Sequence, residues 1–146
     1  MGNKSQLIGI AGAHFVAGEL SRRGYIATLT SRNTEGIDIL ASDKTGLKPI
    51  SIQVKTTTKE NWMLNKKAEN LVSEDLFYVL VKLKENKMPE FYIVPSKEMA
   101  EDLKKGHQKW LETPNKKGGK HNDNTIRIFR DNEKKYKDKW DLLGLD

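Results

Sequence analysis

The sequence predicts an α/β domain in which a central mixed β-sheet is flanked by helices. Three observations lead there. The chain opens with apolar residues at helical spacing: Leu7, Ile8, Ala11, Phe15, Val16 and Leu20. Two β-branched segments, Gly36 to Ala41 and Ile50 to Lys55, follow and are separated only by a short turn sequence. Further on, the largely apolar run Leu76 to Leu83 (LFYVLVKL) reads as a buried strand.

Taken in order, the first element is a helix over Ser5 to Arg23. Ser5 suits the N-cap, Arg22 and Arg23 suit the last turn, and Gly24 suits the stop. Gly9, Gly12, Ala13, Ala17 and Gly18 would let this helix lie close against a sheet, at a cost in helix propensity. Strands are expected over Tyr25 to Thr30, Gly36 to Ala41 and Ile50 to Lys55. The short link carrying Asp43, Lys44, Thr45 and Gly46 makes the last two an antiparallel pair. Trp62 to Leu64 suits a short strand and Lys66 to Leu71 a helical turn. After the buried strand, a polar turn around Asn86 to Pro89 leads to a strand over Phe91 to Val94. Ser96 is expected to cap a helix running to Trp110. Thr113 to Asn124, rich in Pro, Gly, Asn and Lys, is expected to be a mobile loop. A strand over Ile126 to Phe129 and a terminal docking segment over Tyr136 to Leu143 complete the chain.

The 146 residues suit one domain spanning 1–146. Hydrophobic residues make up 36% and charged residues 32%, which describes a compact core under a densely solvated surface. The absence of cysteine excludes disulfides, thiolate zinc sites and cysteine nucleophiles. No apolar run approaches the ~20 residues of a membrane span. The polar start lacks the layout of a secretory signal, so a cytoplasmic protein is expected. A net charge of +6 and a pI near 9.4 favour a polyanionic partner such as nucleic acid.

The chemistry concentrates in two strands. On the later one Ser51, Gln53 and Lys55 face one way, and Ile50, Ile52 and Val54 the other. Pairing Ala41 with Ile50, Ile39 with Ile52 and Ile37 with Val54 gathers the apolar sets on one face. That register sets Asp38 across from Gln53, with Lys55 diagonal to both. Carboxylate and amide oxygens are hard donors suited to Mg²⁺ or Mn²⁺, and such an ion would polarise a phosphoryl oxygen. A neighbouring lysine would neutralise charge on the phosphate. The chemistry to which this points is phosphodiester hydrolysis.

Asp38 followed by Gln53-Val54-Lys55 on paired strands resembles the PD-(D/E)XK nuclease superfamily, whose fold is restriction-endonuclease-like. The order of elements is similar to Holliday junction resolvases and related small endonucleases. The matching segment runs from Gly12 to Thr57. The resemblance implies roles at particular positions. Asp38 would be the main metal ligand, and Gln53 would stand where the motif usually has an acid. The Val54 carbonyl would be a further ligand and Lys55 the catalytic lysine. Glu19, on the first helix, would bind or orient the metal through water. Ser31, Arg32 and Asn33 would help hold DNA beside the first strand. Position 37 is Ile where Pro is usual, and the neutral Gln53 implies weaker metal binding.

Taken alone, Asp38 would read as a solvent-facing strand residue and Glu19 as a solvated helix residue. Arg22 and Arg23 suit either the helix dipole or phosphate contacts. His14, His107 and His121 lack metal-ligand spacing and read as surface or structural residues. Gly9 to Gly12 lacks a preceding strand and the full glycine fingerprint of a nucleotide-binding loop. Trp62, Trp110 and Trp140, like Tyr78, Phe91 and Tyr92, read as packing residues. In the flexible segment after the last helix, Lys116, Lys117 and Lys120 are candidates for phosphate contact. The expected function is therefore a Mg²⁺- or Mn²⁺-dependent DNA endonuclease, with a homodimer as a possible state. A second expectation is a nucleic-acid-binding or protein-interaction module that keeps the nuclease fold without turnover. A third is a subunit of a larger system, docked through the basic loop and Trp140 to Leu143.

Overall fold

The computed structural model describes residues 2–31 and 36–146. Helix α1 (Gly2–Arg22) is followed by β1 (Ile26–Leu29), β2 (Ile39–Ser42), β3 (Pro49–Thr57) and β4 (Trp62–Asn65). A 3-10 turn (Lys66–Glu69) leads to β5 (Leu76–Lys82), β6 (Glu90–Pro95), α2 (Ser96–Glu112) and β7 (Ile126–Phe129). A second 3-10 turn (Trp140–Leu143) lies near the end. The main sheet has the order β1-β2-β3-β5-β6. Only β3 and β5 run parallel; the other neighbours are antiparallel, so the sheet is mixed as expected. β4 and β7 form a separate two-stranded ribbon.

Strand β5 explains the layering. Its residues alternate between two cores, one on each face of the sheet. Phe77, Val79 and Val81 join Val16 and Leu20 of α1 with Ile39, Ile52 and Ile93. Tyr78 and Leu80 join Met99 and Leu103 of α2 with Trp62, Leu64 and Phe129 of the ribbon. The Trp62 indole N–H donates to the Val81 carbonyl at 3.1 Å, which fixes the ribbon to the sheet. Arg127, nearly fully buried, donates to the Glu69 carboxylate at 2.9 Å and to the Asn124 carbonyl at 2.7 Å. These bonds hold β7 to the first 3-10 turn.

Helix α1 lies very close to β3 at one point. A Cβ added to Gly12 would fall 1.8 Å from the Thr56 hydroxyl oxygen, well inside contact distance. The helix begins at Gly2, before the expected cap at Ser5, and residues 3–7 of its first turns are exposed. Ser96 is the first residue of α2 rather than its cap. Its buried hydroxyl donates to the Ser73 carbonyl and accepts from the Ser73 N–H, which ties the loop before β5 to α2.

Two further expectations are revised. The segment after α2 is tied down: His107 bonds Asp123 at 2.7 Å, and His121 stacks on Trp110 at 4.0 Å. The Asn115 side chain also accepts from the Lys117 and Gly119 N–H groups. Near the end of the chain, Trp140 and Leu143 are buried in the α1-side core, with Trp140 against Phe91. That segment docks on its own sheet. No described helix is long and apolar enough to cross a membrane.

Candidate active site

The β2–β3 ladder carries the expected register where it is regular: Ala41 pairs with Ile50 and Ile39 with Ile52. It then opens. Beyond Ile39, the Asp38 N–H donates to the Ile52 carbonyl at 2.9 Å, and Asp38 does not pair with Gln53. The Asp38 carboxylate instead accepts the Val54 N–H at 2.7 Å. A side-chain oxygen has taken the place of a strand carbonyl. Gly36, with φ at +75°, turns the chain just before this point, and Thr30 closes the base of the connection. Its hydroxyl donates to the Ile37 carbonyl at 2.6 Å, and its N–H donates to the Asp38 carbonyl at 3.0 Å.

The opening distributes the expected residues over two hollows. Gln53 and Lys55 line one of about 680 Å³, on the sheet face away from α1. Tyr78, paired with Gln53 in the parallel ladder, stands beside them, and Leu64, Asn65 and Asn70 form a facing wall. The Tyr78 hydroxyl is buried without a hydrogen-bond partner among the described residues, and burial pushes the phenol up from its ordinary range. Asp38 and Val54 border the second hollow, about 410 Å³, between the strands and α1. Val54 sits between Gln53 and Lys55 in sequence, so β3 is the partition between the hollows. Within a strand a residue's N–H and C=O project to the same edge. The Val54 carbonyl therefore faces the opened side of the ladder, where Asp38 lies.

Glu19 is placed apart from this opening. It accepts from Arg22 at 2.8 Å and from Arg23 at 3.0 Å, on a surface hollow shared with Phe91 and Met88. The hydrogen bond from Arg22, joined by one from Arg23, holds its carboxyl below the usual carboxylate range. The part of α1 that does border the Asp38 hollow lies nearer the N-terminus and presents Gln6, Gly9, Ala13 and His14. His14, read from the sequence as a surface or structural residue, borders this hollow and also the one beside Glu19.

Ser31 borders the Asp38 hollow, whereas Arg32 and Asn33 lie outside the described residues. Lys116, Lys117 and Lys120 are exposed on the loop after α2 and line neither hollow. Among the described residues, no group of three His, Cys, Asp or Glu side chains is placed to hold a metal ion. The donors at the opening are instead one carboxylate and one backbone carbonyl, while the Gln53 amide lies in the other hollow. Both are hard oxygen donors, and that chemistry suits a hydrated ion of the Mg²⁺ type.

No family model and no curated protein sequence matches the chain. Solved structures do. The bacterial homing endonuclease I-Ssp6803I aligns with a TM-score of 0.57 at 12% identity, over 96% of this chain and 91% of that one. The Holliday junction resolvase Hjc of the archaeal hyperthermophile Archaeoglobus fulgidus aligns with a TM-score of 0.54 at 13% identity, over 94% and 97%. At this identity the likeness is one of fold. The fold shared with these two nucleases is restriction-endonuclease-like.

Proposed function

We propose that this chain is a metal-dependent endonuclease that hydrolyses DNA phosphodiester bonds. The observation that carries the reading is the opened β2–β3 ladder. There the Asp38 carboxylate is oriented by the Val54 N–H, with Gln53 and Lys55 on either side of Val54. Asp38 and the Val54 carbonyl are the groups that would hold Mg²⁺ or Mn²⁺; Gln53, expected beside them, lines the hollow on the other face of β3. Such an ion supplies Lewis-acid polarisation of the phosphodiester and a more acidic water. The chain's own residues do the rest. The Val54 N–H holds the Asp38 carboxylate in one orientation, so no side-chain rotation is needed when substrate arrives. The Lys55 ammonium offsets negative charge developing on the phosphate. Glu19 enters as the anchor that orients the exposed Arg22 guanidinium toward solvent, where it can meet a phosphate of the DNA backbone. Lys116, Lys117 and Lys120, and the segment around Ser31, Arg32 and Asn33, are proposed as further backbone contacts. A homodimer would present two such sites to the two strands of a duplex or junction.

The test is cleavage of branched, duplex and single-stranded DNAs with Mg²⁺ or Mn²⁺, by the wild type and by folded Asp38→Ala and Lys55→Ala variants. Metal-dependent cleavage lost in both variants is the expected result. The lack of a three-residue acidic or histidine cluster among the described residues favours a second reading, a binding module without turnover. Its signature is DNA binding without cleavage of any substrate, undiminished by Asp38→Ala.

A further inference from the structure

The hollow on the Gln53 side of β3 carries polar groups that the fold leaves unused. Tyr78, read from the sequence as a packing residue, lines it and is 1% exposed, yet its hydroxyl has no hydrogen-bond partner among the described residues. A polar group buried without a partner is costly, so it calls for one that the fold itself does not supply. Gln53 is its neighbour in the parallel ladder, and the Gln53 amide is also without a partner among the described residues. Asn70 adds a second amide from the facing wall, where Leu64 and Leu71 supply apolar surface. Lys55 lines the same space with no carboxylate paired to it among the described residues, and no acidic residue borders the hollow. At about 680 Å³, the space is in the range of small-molecule sites. A fitting ligand has an anionic group for Lys55, a hydrogen-bonding edge for the amides and the phenol, and apolar faces for the leucines. A nucleotide has all three: a phosphate, a base edge of donors and acceptors, and flat faces that pack on apolar side chains. A base inside a duplex is covered by its neighbours and bonded to its partner, so it can enter such a hollow only when out of the stack.

We propose that this hollow takes an unpaired nucleotide of a DNA strand, with its base against Tyr78, Gln53 and Leu71 and its phosphate at Lys55. The inference rests on the reading of the chain as a DNA endonuclease and adds the class of substrate. That class is DNA with a nucleotide out of the stack, as in a single strand, a bulge or a flap. One strand of the sheet, β3, then carries both the nucleotide contacts on this side and the Val54 carbonyl at the Asp38 opening.

Fluorescence anisotropy of the full chain with labelled DNA, with Ca²⁺ in place of Mg²⁺, reads binding without turnover. The probes are a duplex with one unpaired adenine, the same duplex with an abasic unit at that position, and a fully paired duplex. Free deoxyadenosine monophosphate is the competitor. The variants are Tyr78→Phe, Gln53→Ala and Lys55→Ala. The wild type is expected to bind the adenine bulge at least about tenfold more tightly than the abasic bulge or the paired duplex. Tyr78→Phe should fold as stably as the wild type, because it removes only a buried hydroxyl without a partner. That variant and Gln53→Ala should reduce the margin severalfold. Lys55→Ala should weaken the adenine and abasic bulges alike and leave the margin in place. Equal wild-type affinity for the two bulges would overturn the inference, and so would a margin that survives in both Tyr78→Phe and Gln53→Ala. Binding of the free mononucleotide that depends on Gln53, without a margin between the bulges, would put a free nucleotide in the hollow and overturn the assignment to a DNA strand. Metal-dependent cleavage by a chain that shows no margin would overturn this inference and leave the endonuclease reading standing. A chain that binds and cleaves none of the DNAs would overturn both.

Discussion

Replacing Gly12 by Ala tests the close packing of α1 on β3. The new methyl would lie 1.8 Å from the Thr56 hydroxyl oxygen, 2.9 Å from its Cβ and 3.0 Å from its Cγ2. Rotating Thr56 gives partial relief at best, because its methyl carbon is already at the limit of contact. The helix must back away from β3 by more than 1 Å or the strand must bend. Overpacking of this kind costs about 1–3 kcal/mol, and the better helix propensity of Ala returns about 1 kcal/mol. A net loss of up to about 2 kcal/mol is expected, or a Tm lower by up to about 8 °C in a chain of this size. The double variant Gly12→Ala/Thr56→Ala removes the 1.8 Å overlap and also a buried hydroxyl that has no partner among the described residues. It should recover most or all of the loss, giving a coupling of about 1–3 kcal/mol in a double-mutant cycle. Urea denaturation followed by circular dichroism measures all four proteins. A Gly12→Ala protein as stable as wild type, with no coupling to position 56, would refute the argument that close approach requires this glycine.

Other perturbations reach different parts of the molecule. Glu69→Ala leaves the buried Arg127 guanidinium without its carboxylate and should cost about 3–5 kcal/mol by chemical denaturation. Arg127→Met should cost less, because the Glu69 carboxylate it leaves unpaired is closer to solvent than the Arg127 guanidinium. Glu90 is held at a pKa of about 2, chiefly by the hydrogen bond from Lys84. Its folded value lies below its unfolded one, so its stabilisation is complete above about pH 4.5 and is lost as pH falls toward 2. Glu90→Gln should therefore flatten the acid limb of the stability profile in that window, and an unchanged limb would refute the pairing. If Lys116, Lys117 and Lys120 meet phosphates, replacing them together should make the salt dependence of DNA binding shallower. The log–log slope should fall by about 0.9 for each phosphate that is no longer neutralised. An unchanged slope would place the DNA elsewhere.

What the sequence made legible follows from what each signal depends on. The Ala41–Ile50 and Ile39–Ile52 pairs were readable because a one-residue slip would have turned every isoleucine of β3 away from its core. The opening beyond them was not. There a side-chain carboxylate outcompetes a backbone carbonyl for the Val54 N–H, and alternation carries no trace of such a substitution. Strand β5 stood out because it is buried on both faces, whereas the 3-10 turns rest on tertiary partners such as Arg127. Glu19 illustrates a local signal given too little weight. Arg22 and Arg23 stand three and four residues after it, the spacing at which helix side chains meet. Ser96 has the chemistry of a cap, but its partner is Ser73, from a separate loop.

The ribbon has a consequence for the order in which the molecule is completed. Trp62 pairs with Phe129 and Leu64 with Arg127, partners more than sixty residues downstream. The crossover between the parallel strands β3 and β5 therefore has no strand of its own to pair with until nearly the whole chain is available. On a ribosome, the main sheet could assemble from the first two thirds of the chain while the indole of Trp62 and the side chain of Leu64 still lacked their cover. Pairing strands so far apart in sequence is slower than pairing adjacent ones. The last folding event should therefore be the closing of this seam. The wall of the Gln53–Lys55 hollow, which includes Leu64 and Asn65, would take shape only then.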